Sequence, residues 1–469
     1  MVLAKQMGVG GWPFKWIGPV VVAVMGVFVY TWQAWFTTSP GVVHKPDHIY
    51  DFIIVGGGTA GSVLAARLSE VSSYKVLLIE AGGEEPWLST VPLGAPLLQG
   101  TRYDWGYKTK PQKHNSEALH DKKSSWPRGK MLGGSGSLNY NVHMFGSPQD
   151  YDLWADEYGA KGWSFNDIKK YMNMAQCKIL RPKLFKEGHC SSPNHKGEFE
   201  CTSEGSSSRR ERGEGGHVRQ KQDAVQCYDP PIRTVTADSQ ITQAFLQAGK
   251  ELGLPVGNLN EDIDYGVMAA ETTVFKGRRW STAKGYLRPA LGRSNLHVLL
   301  HTRVIKVLWE DKRVVEDKRA VGVTYMTRDN PQLNGTVYAR GEVILSGGAI
   351  NTPQILVHSG VGPPEDLERL KITAVSHRDG VGQNLQDQLN LPLYVSVTQP
   401  VSLNPSKLGT ASNILEYFVN GKGDLGRAAI EGVGIVPVRG DHPEVGVILF
   451  NMGAVDKHLY SSVSNMKLE

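Results

Sequence analysis

Asp51–Glu80, DFIIVGGGTAGSVLAARLSEVSSYKVLLIE, holds a complete strand–turn–helix–strand unit. Phe52 to Val55 are apolar and partly β-branched, which suits a buried parallel strand. Gly56, Gly58 and Gly61 follow as G-x-G-x-x-G. The first glycine permits the tight turn, the second lets backbone approach a pyrophosphate, and the third lets helix pack on strand. Ala60 to Leu68 follow as a helix, and its first N–H groups would hold a pyrophosphate. A second apolar strand, Val76 to Ile79, ends on Glu80, 19 residues beyond Gly61. A carboxylate there accepts hydrogen bonds from ribose hydroxyls and repels a 2′-phosphate. The unit therefore predicts a dinucleotide of the FAD or NAD type, not NADP. A glycine turn without a ligand is the alternative, and the ordered run of all five features weighs against it.

The 469 residues are enough for two or three domains with ample core. Hydrophobic content of 40% and charged content of 21% are those of a globular protein. A net charge of +5 is small at this length and argues against a nucleic-acid partner. The 53 glycines are about 11% of the chain against a usual ~7%, which fits a loop-rich cofactor fold.

No charged residue occurs from Trp16 to Val43, and Ile17–Phe36 gives 20 mostly apolar residues, about a bilayer's span. Lys5 and Lys15 precede the run, and Tyr30, Trp32 and Trp35 sit at its far end. That arrangement predicts a membrane anchor through residues 17–36 with the rest of the chain lumenal or extracellular. A cleaved signal, leaving a secreted protein, is the competing reading; a small-x-small cleavage site does not follow the run.

Cys177, Cys190, Cys201 and Cys227 fall in one 51-residue stretch without C-x-x-C pairs, so no metal is assigned. In a lumenal protein they read as two disulfides with connectivity open. The polar run Glu204–Asp223 within the same stretch reads as a solvated insertion. Beyond it, Ile241–Leu252 has apolar residues at helical spacing, His297–Leu308 reads as a strand pair or one long strand, and Gly341–Ser346 as a strand entering a glycine pair. Asn334-Gly335-Thr336 is a glycosylation sequon.

Two further stretches, GKMLGGSGSLN (129–139) and GAINTPQILVHSGVG (348–362), join the first unit in resembling the glucose–methanol–choline (GMC) oxidoreductases, FAD enzymes that oxidise alcohols. Asp104-Trp105, Arg279-Trp280-Ser281-Thr282-Ala283, Tyr286–Ala290 and Val381–Asp387 are similar to the family as well, most of all to its animal and insect branch. The resemblance runs from about residue 48 to 455. It implies FAD as cofactor and a binding set of Gly56, Gly58, Thr59, Ala60, Gly61, Glu80, Met131, Gly133, Gly134, Ser135, Asn139, Val304 and Gly348. Gly133 and Gly134 let backbone come close to the flat flavin. By resemblance, Asn139 lies near the flavin's pyrimidine edge, where charge gathers on reduction, and the Val304 backbone reads the adenine. His143 and Gln388 depart from the family pattern, and His143 is read as a packed or solvated ring rather than an acid–base group.

The implied fold is α/β: an FAD-binding Rossmann-like domain interleaved with a substrate domain built on an antiparallel sheet. Residues 48–150 and 238–385 are expected in the first, 151–237 in the cysteine-bearing insert with substrate-domain elements, and 386–469 in a partial substrate domain. The family's C-terminal histidine, in an H-x-x-G-T-like context, is not found, so no catalytic residue is assigned. The chain reads as a truncated form of an oxidoreductase acting on CH–OH donors. A catalytically inactive flavin-binding or partner-binding protein is the alternative. Expected partners are a small-molecule alcohol and an electron acceptor such as a quinone.

Overall fold

The computed structural model describes residues 40–452 apart from 113–115, 118, 177–231, 262, 311–317, 328–333, 396 and 439–442. The apolar run 17–36 and all four cysteines lie outside the described residues. Among the described residues no helix is long and apolar enough to cross a membrane.

Strand β1 (Ile49–Val55) leads through the glycine turn into α1 (Thr59–Leu68) and back to β2 (Val76–Ile79). After the undescribed stretch come α2 (Gln240–Glu251) and β3 (Gly266–Ala269). Then follow β4 (Leu296–Leu299), β5 (Thr302–Trp309), β6 (Ala320–Thr327), β7 (Gly335–Leu345), α3 (Gly348–His358), β8 (Ile430–Pro437) and β9 (Pro443–Phe450).

The main sheet has the order β4-β2-β1-β7-β6-β5. The first four strands run parallel, and β6 and β5 add an antiparallel edge. All four residues of β2 are buried, as a strand between two parallel neighbours must be. Side chains of successive residues divide between two cores. Ile53, Val55, Leu77 and Ile79 pack with Val304, Val323 and Ile355 on one face. Ile54, Val76, Leu78 and Val298 pack with Ala65, Ala66 and Leu287 on the other.

The single long strand contemplated for 297–308 is two. His301 takes a left-handed conformation, φ 53°, between β4 and β5, and the chain crosses from one edge of the sheet to the other. The second sheet, β9-β8-β3, is antiparallel and has three strands among the described residues. The helix read at 241–252 is α2, which packs against β3 and β8. The 238–385 stretch thus contributes to both sheets. Glu431 on β8 is 1% exposed and fully used: it accepts from Thr242 Oγ1 at 2.9 Å, Asn451 Nδ2 at 2.9 Å, Arg427 Nη2 at 2.8 Å and the Ser239 hydroxyl. Leu389, Leu391, Leu393 and Val395 alternate as a strand does, yet each is more than four-fifths exposed and pairs with no described strand.

Candidate cofactor site

Three glycine turns from distant parts of the chain meet above the carboxyl ends of β1, β2 and β7. The first is Gly56–Gly58. Gly56 has φ 102°, and a Cβ on it would lie 2.4 Å from the Ser346 oxygen at the end of β7. A Cβ on Gly61 would lie 1.9 Å from the Gly56 oxygen, so only glycine lets α1 sit this close to its strand. The second turn, Gly133–Ser137, rests on the first. Gly133 donates its N–H to Gly57 O at 2.8 Å, and a Cβ on Gly134 would stand 2.7 Å from Gly58 Cα. The third opens α3 at Gly347–Gly348. Gly348 has φ 83° and no heavy atom within 4 Å of a built Cβ, so its outer side is open space.

Helix α1 begins without a side-chain cap at Gly58, and Thr59 and Ala60 at its mouth are exposed. Uncapped N–H groups and the helix dipole make that end a place for anionic oxygens. Glu80, at the end of β2, is 6% exposed. Its Oε2 accepts Gly57 N–H at 2.7 Å and its Oε1 accepts Gly82 N–H at 2.8 Å. Burial pushes its carboxyl above the ordinary value, with the backbone N–H bonds of Gly82 and Gly57 opposing. A carboxylate offers about four acceptor positions, so these backbone donors do not exhaust it and a hydroxyl donor can be taken.

The residues read from sequence fall into place unevenly. Gly56, Gly58, Thr59, Ala60, Gly61, Glu80, Gly133, Gly134 and Gly348 lie on the three turns and strand ends. Ser135 and Asn139 are exposed on the second turn. Val304 lies in β5, two residues after Thr302 N–H binds Glu80 O at 3.0 Å. The β5–β6 register slips between Val304 and Lys306, and such a bulge leaves ladder groups unpaired for another partner. The Met131 side chain, 0% exposed, packs with Leu98 and Leu138, so any part it takes in binding comes from its backbone. The His143 ring lies edge-on to Phe145, the backbone N–H of His143 donates to Glu271 O at 2.8 Å, and the neighbours Val142 and Met144 join the core of the second sheet.

A group of charged residues beneath the second turn had no assigned role. Glu85 Oε1 accepts from Ser281 Oγ at 2.7 Å and from the Ser137 hydroxyl, and Arg288 Nη2 lies 3.6 Å from Glu85 and 3.0 Å from Glu84. Burial alone raises the Glu85 carboxyl, but the charges of Lys284 and Arg288 and the two hydroxyls outweigh it, so the net direction is down. Arg279 is 0% exposed, and Lys284 Nζ donates to its carbonyl at 2.9 Å. Burial brings Arg279 down to about 10 and Lys284 down to about 8, with the Glu85 charge opposing in both cases. Charge in a sequence reads as surface; only the stretch Arg279–Ala283 marked this place, through its family likeness.

Lys284 gives a pH test. Its ordinary value is 10.5, so between about pH 8 and that value the unfolded chain binds a proton that the folded chain has lost. Stability therefore rises with pH across that window. Denaturant melts of the apoprotein from pH 7.5 to 9.5 are expected to show this rise, and Lys284→Met to remove most of it. An unchanged slope in the variant assigns the effect to another group.

These features define a flavin-type dinucleotide fold: a parallel βαβ core, an anion-ready helix mouth, a buried acid on the second strand, and two more glycine turns above them. The GMC oxidoreductase family model matches residues 50–390, and the chain belongs to that family. It is 36% identical over 345 residues to a glucose dehydrogenase (FAD, quinone) of Drosophila pseudoobscura pseudoobscura, covering 74% of this chain and 48% of the relative. It is 37% identical over 383 residues to an oxygen-dependent choline dehydrogenase of Yersinia pestis, covering 80% and 59%. An FAD-dependent oxidoreductase of Chaetomium thermophilum superposes with a TM-score of 0.61 at 26% identity, over 82% of this chain and 61% of that one. The chain spans about half the length of the glucose dehydrogenase it matches. FAD is the cofactor of this family.

Proposed function

We propose that this chain forms the flavin-binding part of an FAD-dependent oxidoreductase acting on CH–OH donors. The observation that carries this reading is the convergence of three glycine turns, the one at Gly348 open on its outer side, around an uncapped helix mouth and a buried glutamate. When bound, FAD supplies the hydride acceptor for the alcohol carbon. The protein's part is to hold it. The N–H groups of Thr59 and Ala60 receive the pyrophosphate, Glu80 accepts from the ribose, and the backbone at Val304 meets the adenine. Gly58 and Gly348 keep side chains out of the way, Gly134 lets the second turn close on the first, and Ser135 and Asn139 present polar groups beside it. Donors of two kinds fit the family, sugars and lipophilic alcohols, and the name of the Drosophila relative supports a quinone-like acceptor. Attachment to a membrane through residues 17–36, with the domain lumenal or extracellular, rests on the sequence run alone.

The test is cofactor titration of the purified apoprotein followed by anaerobic mixing with alcohols. FAD is expected to bind, and FMN, which lacks the adenosine that Glu80 and Val304 serve, to bind about a hundredfold more weakly or worse. Bleaching of the flavin absorbance by an alcohol supports the enzymatic reading, while bound FAD that no alcohol bleaches supports flavin binding without turnover. Binding of NAD in place of FAD overturns the proposal.

A further inference from the structure

Arg279 is among the largest fully buried side chains of the described residues, and it is the charged one. A guanidinium is costly to remove from water, and it is retained where its fork serves several acceptors at once. Nε donates to Ser89 O at 2.8 Å, and Nη1 donates to Asn139 Oδ1 at 2.7 Å and, more weakly, to Gly136 O at 3.3 Å. The side chain thus ties the loop at Ser89 to the second glycine turn. Nη2 is buried and makes no hydrogen bond to a described residue, so one donor of this guanidinium is left without an acceptor just behind that turn, with the Glu85 charge as its electrostatic counterweight.

The consequence falls on Asn139. Its Oδ1 receives two N–H donors, Arg279 Nη1 and its own neighbour Asn141 N–H at 3.1 Å. Two donors on one atom fix which end of the carboxamide is oxygen. The Nδ2 group is left on the opposite side of an exposed residue, one helical turn from Ser135. A free asparagine would present either end to a ligand; this one presents a donor, polarised through its amide by a buried cation.

We infer that Arg279 is a positioning residue that locks Asn139 with its Nδ2 donor facing the flavin, so that the pair, not Asn139 alone, recognises the cofactor. This rests on the reading that the 133–139 turn holds FAD.

The test is a double-mutant cycle on FAD affinity, read by flavin fluorescence quenching on apoprotein, with the melting temperature of each apoprotein recorded. Wild type must bind FAD first; if it does not, the functional reading fails before this inference is reached. With binding present, Asn139→Ala and Arg279→Met are each expected to weaken FAD about tenfold, and the double variant to be no weaker than the poorer single. Additive losses overturn the inference, because a merely structural arginine would act independently of Asn139. Asn139→Asp is the second arm, which keeps the inference testable if Arg279→Met fails to fold. It keeps acceptors for Arg279 but has no N–H donor. It is expected to melt at or above the wild-type temperature and yet to bind FAD at least about tenfold more weakly. Wild-type affinity in Asn139→Asp also overturns the inference.

Discussion

Gly58→Ala is expected to lower FAD affinity by about a hundredfold, close to 3 kcal/mol, while the apoprotein melts within about 2 °C of wild type. The two halves of this result come from one geometry. Gly58 has φ −73° and ψ −162°, a conformation open to any residue, and its built Cβ meets only Gly134 Cα at an ordinary 3.8 Å. The folded chain therefore has room for the methyl group. What lacks room is a ligand lying against the backbone at the mouth of α1. Gly61 is the contrast: its built Cβ lies 1.9 Å from a backbone oxygen, so alanine there disrupts the fold with or without cofactor. Measuring affinity and apoprotein melting together separates the roles. A Gly58→Ala protein that binds FAD normally would show that nothing approaches this turn, and the site would have to be sought elsewhere.

The second large effect belongs to Glu80. Glu80→Ala leaves the N–H groups of Gly57 and Gly82 without their acceptor in a buried place. Each such loss costs about 1–3 kcal/mol, partly offset by relief of the buried charge, so a net destabilisation of about 2–4 kcal/mol is expected by denaturant unfolding. Because Gly57 O also receives Gly133 N–H, the disturbance passes to the second turn, and FAD retention should be lost as well. Glu80→Gln keeps one acceptor oxygen and turns an NH2 toward the other donor. It is expected to lose about half as much stability as alanine and most of the ribose recognition. A Glu80→Ala apoprotein as stable as wild type would show that the two backbone donors find other partners.

Much of the site was legible from Asp51–Glu80 because its signals are local. Strand, turn and helix follow one another within the reach of short-range sterics, and Glu80 is placed by the length of the helix between. The turns at Gly133 and Gly348 were legible only through likeness to a family, since nothing in their own spacing states that they meet Gly56 and Gly58. What escaped was the interior charge. Arg279 is surrounded by Ser89, Gly136 and Asn139, all at least 140 residues away in sequence, and no periodicity encodes that company. Met131 was grouped with the cofactor residues by its place in a motif, while its side chain serves the core with Leu98 and Leu138. The break at His301 was left open because Leu300 and His301 continue an apolar, strand-like run; the left-handed backbone between β4 and β5 is a property of the path, not of the composition.

The main sheet pairs β1 with β7 at its centre, although nearly 300 residues separate them along the chain. A nascent chain emerging from the ribosome therefore makes α1 and β2 early but holds half a cradle until residue 348 has been synthesised. Loop closure over that distance is slow relative to local helix formation. During the interval β1 waits with one edge bare, which is when such a chain is most exposed to wrong partners.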